Sequence, residues 1–369
     1  MLQVKEKDFE SFFNVPFNVR GKKSLYASPL KPDLKKMLSI ENPVFKSEED
    51  FTFYSVFKDG VAVGRITAHV HRAFNEKYKL NKCYFGFFEC SNDQEVADRL
   101  LQFAEKWALK RGYASLAGNF NVTAMHEMGI MVSGFENEPY IAQSYGMPYY
   151  PELLKNAGYS PSFPMSTFEI DIQAIDPEMV LGVKQKEIFN DPEYEFVPIT
   201  ARSYKKIRPD ILSIFNKSFE NNALFAPISN EEFDFQAKDL VYFIDSKIAF
   251  IVKHKGHPIA VSVHLPDINI FLRESGGKIN LLAPYYLLKC ILKRERAVCL
   301  FAAVLPEYQN KGITGAVSYL SLKAVKERGY KKGGITWISE NNIGSLSKVK
   351  NMNAKKLHEL RIFEKQLVP

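Results

Sequence analysis

The chain has 369 residues, 46% hydrophobic and 25% charged, the profile of an ordinary globular protein with length enough for two domains. A formal charge of +7 (49 basic against 42 acidic residues) favours anionic partners in general, but no basic run is dense enough for a nucleic-acid arm. No apolar stretch reaches the roughly 20 residues a membrane span needs, and MLQVKEKDFESFF interleaves charge with its apolar residues, so neither a span nor a secretory signal is expected.

In chain order, strands are expected at Phe51–Phe57 and Gly64–His71. Cys83 to Asn121 then gives an apolar strand, a short turn, an amphipathic helix, an Arg-Gly-Tyr stop and a second strand. The helix carries Ala97, Leu100, Leu101, Ala104, Trp107 and Ala108 on one face, and Gly112 lies just past its end. Asn119 to Tyr150 is a long connection rich in Met, Tyr, Phe and Gly, suited to lining a pocket or to covering core. The segment from Gln173 to Tyr194 has weak periodicity and marks a boundary, giving units at 1–175 and 195–369 with a linker at 176–194.

The second unit repeats the first. Strands are expected at Ile248–Lys253 and Pro258–His264, and Cys299 to Asn342 is again strand, turn, helix, Arg-Gly-Tyr and strand. Val317, Leu320, Ala324 and Val325 form the helix face, and Gly329 follows it. A constant offset of 217 relates Arg111 to Arg328 and, with no gap, Phe87 to Val304. Each repeat is a βαβ unit, which implies a crossover between parallel strands.

The turns differ. In the second repeat Gly312 and Gly315 allow close approach of backbone to ligand, free N–H groups are expected at the helix start, and Lys311 adds a cation. That combination is an anion cradle suited to a pyrophosphate. At the constant offset the first repeat has Glu95 in place of Gly312, with Asp93 and Asp98 nearby, a self-satisfied helix start that would repel phosphate.

Gln309-x-x-Gly312 after a strand, with Ile335–Ser339 and Asn342 following, resembles the coenzyme motif of the GCN5-related N-acetyltransferase (GNAT) superfamily. GRI at Gly64–Ile66, YFGFFEC at Tyr84–Cys90 and YYPELLKNAGY at Tyr149–Tyr159 resemble a degenerate copy of the same fold. The resemblance implies an α/β protein of two GNAT-like acyl-CoA N-acyltransferase domains in tandem, each a mixed twisted sheet with flanking helices. It implies acetyl-CoA, or another acyl-CoA, held by the backbone of Val304 and Leu305, by Gln309, Asn310, Lys311, Gly312, Ile313, Thr314 and Gly315, and by Asn342. The implied reaction is attack of an amine on the thioester, with Glu340 as a candidate proton acceptor. The tyrosine that such enzymes often use to protonate the leaving thiolate falls here on Val349.

The acceptor expected is a small-molecule or peptide amine, in a cytoplasmic protein with no membrane partner and no nucleic acid. An aminoacyl-tRNA-dependent ligase of the peptidoglycan cross-bridge type and a non-catalytic acyl-CoA sensor stand as alternatives. Cys83, Cys90, Cys290 and Cys299 form no CxxC pair and are expected as reduced thiols; His69 and His71 are expected on one face of a strand with no third ligand, and no metal is expected.

Overall fold

The computed structural model describes residues 1–21, 23–123, 125–237 and 243–368. The chain begins with β1 (Leu2–Glu6), α1 (Phe9–Val19) and α2 (Lys31–Met37). Next come β2 (Phe51–Lys58), β3 (Val61–His69), α3 (Arg72–Tyr78) and β4 (Lys82–Cys90). The first crossover helix is α4 (Gln94–Lys110), followed by β5 (Ser115–Gly118), β6 (Ile130–Ser133), α5 (Tyr150–Asn156) and β7 (Ser160–Asp171). The second half opens with α6 (Val183–Asn190), β8 (Tyr194–Pro198), α7 (Ala201–Phe219) and α8 (Asn230–Ala237). It continues through β9 (Ala249–His254), β10 (His257–Pro266), α9 (Asn269–Ser275), α10 (Ala283–Lys293) and β11 (Arg296–Val304). The chain closes with α11 (Ile313–Glu327), β12 (Lys332–Ser339), α12 (Ile343–Asn351) and β13 (Lys355–Gln366).

Both expected βαβ units form. β4 pairs in parallel with β5 across α4, and β11 pairs in parallel with β12 across α11. Each helix stops where a glycine takes a left-handed backbone, Gly112 at φ +79° and Gly329 at φ +83°. His69 ends β3, whereas His71 lies beyond it and caps α3, its Nδ1 accepting from the Phe74 N–H. The two histidines therefore do not share a strand face.

The gapless offset of 217 does not survive at the strands. Lys82 lies opposite Ser115, 33 residues on (115 − 82), but Arg296 lies opposite Lys332, 36 residues on (332 − 296). The helix ends and return strands keep the offset, since Lys110 corresponds to Glu327 and Ser115 to Lys332. The extra residues sit in the turn: three separate β4 from α4 (91–93), and eight separate β11 from α11 (305–312). The residue structurally opposite Gly312 is thus Asp93, the N-cap of α4, and not Glu95.

All the described strands join one sheet of order β1-β2-β3-β4-β5-β13-β7-β12-β11-β10-β9-β8, with β6 beside β13. The centre of this sheet is an exchange. β13, the last strand of the chain, pairs with β5 of the first half, while β7, the last strand of the first half, pairs with β12 of the second. The exchanged strands also pair antiparallel with each other, from Lys355↔Glu169 to Glu364↔Ser160. α7 packs on Val261, Val263, Ala303 and Leu305, and α11 packs on Ala260 and Val304. Because side chains alternate along a strand, α7 and α11 cover opposite faces of the second half.

Candidate functional site

β11 and β12 pair only from Arg296↔Lys332 to Cys299↔Ile335 and then splay apart, although β11 stays paired with β10 as far as Val304. The Leu305 N–H donates to the Ile259 carbonyl at 2.9 Å, so strand alternation aims the amides of Val304 and Ala302 into the gap. A cavity of about 920 Å³ opens there. Phe215 and Phe219 of α7 line one side, and Val317, Ser318 and Ser321 of α11 line the other. The cavity therefore reaches both faces of the sheet through the gap. Its walls are largely apolar, with Phe225, Phe301 and Trp337 from the second half and Met125 and Ile141 from the connection after β5.

The first half closes the same feature. There the Phe87 N–H donates to Asn121 Oδ1 at 2.7 Å and the Phe88 N–H to Asn119 Oδ1 at 3.2 Å. By strand pairing Phe88 corresponds to Ala302, and by return strand Asn119 and Asn121 correspond to Thr336 and Ile338. Asn119 thus consumes the amide whose counterpart, at Ala302, faces the cavity in the second half, and Asn121 takes the amide beside it. Arg20 and Glu89 form a buried ion pair beside them at 2.8 Å, and the Tyr150 hydroxyl donates to Glu89.

At the phosphate-type turn, a short 3₁₀ turn at Pro306–Tyr308 leads through Asn310 (φ +61°) to Gly312 (φ +91°), the N-cap of α11. No side chain caps α11, whereas Asp93 caps α4 by accepting from the Glu95 N–H at 3.0 Å and is paired with Lys58. The glycines have a second cause. Gln185 of α6 donates to the Gly312 carbonyl at 3.1 Å, and a Cβ on Gly315 would meet Gln185 Nε2 at 2.6 Å. Close packing of α6 therefore demands small residues here.

Of the residues expected to hold the coenzyme, Val304, Thr314 and Asn342 face the cavity. Gln309 instead spans the turn, donating to the Val304 carbonyl at 3.1 Å. Both backbone groups of Leu305 are used, its N–H by Ile259 and its carbonyl by the Tyr308 N–H at 2.9 Å. Ile313 is buried, and Lys311 lies over the Tyr308 ring at 5.4 Å. Asn342 is the N-cap of α12, accepting from the Ser345 N–H at 3.1 Å. Glu340 is not among the cavity-lining residues; its carboxylate lies 3.7 Å from Arg361 Nη2.

Sequence reasoning missed the titratable groups that do face the cavity. His264 stands in β10 opposite Cys299, with Nδ1 3.4 Å from Ser262 Oγ, and burial lowers its pKa to about 4. Ser262 Oγ is also 3.0 Å from Ser321 Oγ of α11. Lys348 of α12 lines the cavity beside Val349 with its side chain exposed, and partial desolvation lowers its pKa. Val349 is buried against Phe168 and Ile338, and among the described residues no tyrosine lines the cavity. A lone histidine in a strand and a lysine in a lysine-rich helix carry no local signal. Among the described residues no cluster of His, Cys, Asp or Glu could hold a metal, and the four cysteines are unpaired thiols.

No family model matches the chain. It is similar to Protein YghO of Escherichia coli (strain K12), 23% identical over 377 residues covering 99% of this chain and 94% of that one. It is similar at 22% identity, over 98% of this chain and 95% of the other, to a protein of Caulobacter vibrioides named bacterial ceramide synthase. Among solved structures, a tandem GNAT protein from the clavulanic acid biosynthesis pathway matches with a TM-score of 0.58 and 12% identity, covering 100% of this chain and 99% of that one. The architecture is that of the tandem GNAT proteins, α/β with two GNAT-like halves; in this chain a splayed strand pair is kept open in only one of them.

Proposed function

On this tandem GNAT fold, we propose an N-acyltransferase that moves a long acyl chain from a coenzyme A thioester to the amine of a second long-chain molecule. The observation that carries the reading is the size and lining of the cavity. At about 30 Å³ for each water-sized group, a chain of about sixteen carbons fills about 500 Å³. The cavity of about 920 Å³ has room for a long chain beyond the coenzyme's own arm, and an acetyl group would leave much of its apolar wall bare. Its reach to both sheet faces gives each chain a side. The relative named bacterial ceramide synthase supports the same class, since a ceramide is a long-chain amino alcohol acylated on nitrogen.

In the proposed reaction the free amine attacks the thioester carbonyl held at the amides of Val304 and Ala302. Those N–H groups meet the charge that develops on oxygen. The C–N bond forms, the C–S bond breaks, and the nitrogen loses a proton to His264, a neutral imidazole in the cavity wall. The thiolate takes its proton from Lys348, since the neighbouring Val349 has no phenol to supply one. The first turn of α11 holds the pyrophosphate with its uncapped N–H groups.

Thiol release should be followed with palmitoyl-CoA and with acetyl-CoA, each against a long-chain amino alcohol and against a small amine. We expect turnover with palmitoyl-CoA and the long-chain amine, and at least about a hundredfold lower kcat/KM with acetyl-CoA, from the many methylenes left unburied. Equal or better turnover of acetyl-CoA would return the reaction to acetyl transfer. Tight acyl-CoA binding with no turnover against any amine would favour a sensor.

A further inference from the structure

Exposed apolar residues concentrate on one element. Ile279, Leu281, Leu282, Tyr285, Leu288, Ile291 and Leu292 belong to α10 and the turn before it, and Leu281, Leu288 and Leu292 are 100%, 56% and 65% exposed. Single exposed apolar residues are ordinary, but a contiguous set is not.

α10 is apolar on two sides. Ala283 and Cys290 are buried, packing with Tyr286 and Leu287 against Phe271 and Leu272 of α9. At 100° per residue, Leu281, Tyr285, Leu288 and Leu292 fall together on the opposite side. Lys289 and Lys293 border that outer stripe, and Lys278 precedes it; all three are exposed and form no ion pair among the described residues. The helix has 11 residues, and no described helix is long and apolar enough to cross a membrane. An apolar stripe edged by lysines on a short helix matches a bilayer interface, with acyl tails under the stripe and anionic headgroups against the lysines. The inner side supplies a route inward: Ile141 packs with the buried face of α10 and also lines the cavity.

We propose that α10 and the turn at Ile279–Leu282 dock the protein on an anionic lipid bilayer. This reverses the expectation of no membrane partner, which rested on the absence of a spanning segment. It stands independently of the proposed reaction, because the test reads binding alone.

Flotation of the full chain with phosphatidylglycerol–phosphatidylcholine vesicles, and with phosphatidylcholine vesicles, is the experiment. We expect partition onto the anionic vesicles at least about tenfold above the neutral ones, weakening with salt. Leu288→Asp with Leu292→Asp should lower partition about tenfold or more. Lys289→Glu with Lys293→Glu should abolish the preference for anionic lipid, and it decides the matter if the aspartate variant fails to fold by circular dichroism. Absence of flotation with either vesicle overturns the proposal. So does a dimer, seen by sedimentation equilibrium, that the aspartate variant dissolves while neither protein binds vesicles; the stripe would then join two copies of this chain.

Discussion

A few residues decide which half keeps its splayed strands open. Asn119 and Asn121 fill the first with their side-chain oxygens; Thr336 and Ile338 leave the second empty. Asp93 against Gly312 draws the same distinction at the helix start, one end capped by its own carboxylate and the other left with free amides. Lys348 offers the sharpest residue-scale test. Its ammonium stands at the cavity mouth, where partial desolvation lowers its pKa below the ordinary 10.5, and the proposed acid is the protonated form. The rate of thiol release should therefore fall as pH rises through that lowered value. Lys348→Gln should reduce kcat by at least about tenfold, leave the KM for acyl-CoA nearly unchanged and flatten the alkaline fall. A variant that keeps the wild-type alkaline limb would remove Lys348 from the reaction. The role of Lys348 was not legible locally, although the acidic start of the first helix was. The turn at Gln309–Gly315 announces itself by its glycines, but a lysine becomes an acid only through walls that come from elsewhere in the chain.

At the scale of elements, the two βαβ units were readable because periodicity and helix stops are local. Gly112 and Gly329 sit where a left-handed residue ends each helix, and both strand pairs form in parallel. The shift in strand register was not readable, since a matching helix end at Lys110 and Glu327 hides five extra residues in the turn. Nor was the full exchange of β7 and β13, because nothing in a strand's own sequence names its partner when both candidates are edges of similar sheets. The exchange has a consequence for dissection. Residues 1–175 alone would keep β7 but lose both of its neighbours, β12 and β13, and would leave β5 as an open edge. We expect that fragment to be aggregated or largely unfolded by size-exclusion chromatography and circular dichroism. Co-expression with residues 176–369 should restore a soluble pair. A monomeric fragment with a cooperative thermal transition would show that each half is self-sufficient.

Over the whole molecule, the cavity explains how a fold read from local patterns can hold an unread substrate. Its walls come from α7, α11, α12, β10, β11, β12 and the connection after β5, so no window of sequence contains it. The same scale governs acid stability. Burial lowers the pKa of His69 to about 3 and of His71, His126 and His264 to about 4, against 6.5 for an ordinary histidine. His69 is the most enclosed, its Nε2–H donating to the Val122 carbonyl at 3.0 Å while Nδ1 has no partner to share a second proton. Unfolding lets these imidazoles charge, so below pH 6.5 the unfolded chain binds more protons than the folded one. Stability present above pH 6.5 is then lost as pH falls toward the folded values. For His69 alone the slope approaches about 1.4 kcal/mol per pH unit inside that window, and the partly buried His71, His126 and His264 act in the same direction. Urea midpoints at pH 7 and pH 5 should differ in that direction, and His69→Gln should flatten the difference. An unchanged pH dependence in the variant would mean that His69 is protonated, or rehydrated, in the folded protein, and would put the loss of acid stability on the carboxylates instead.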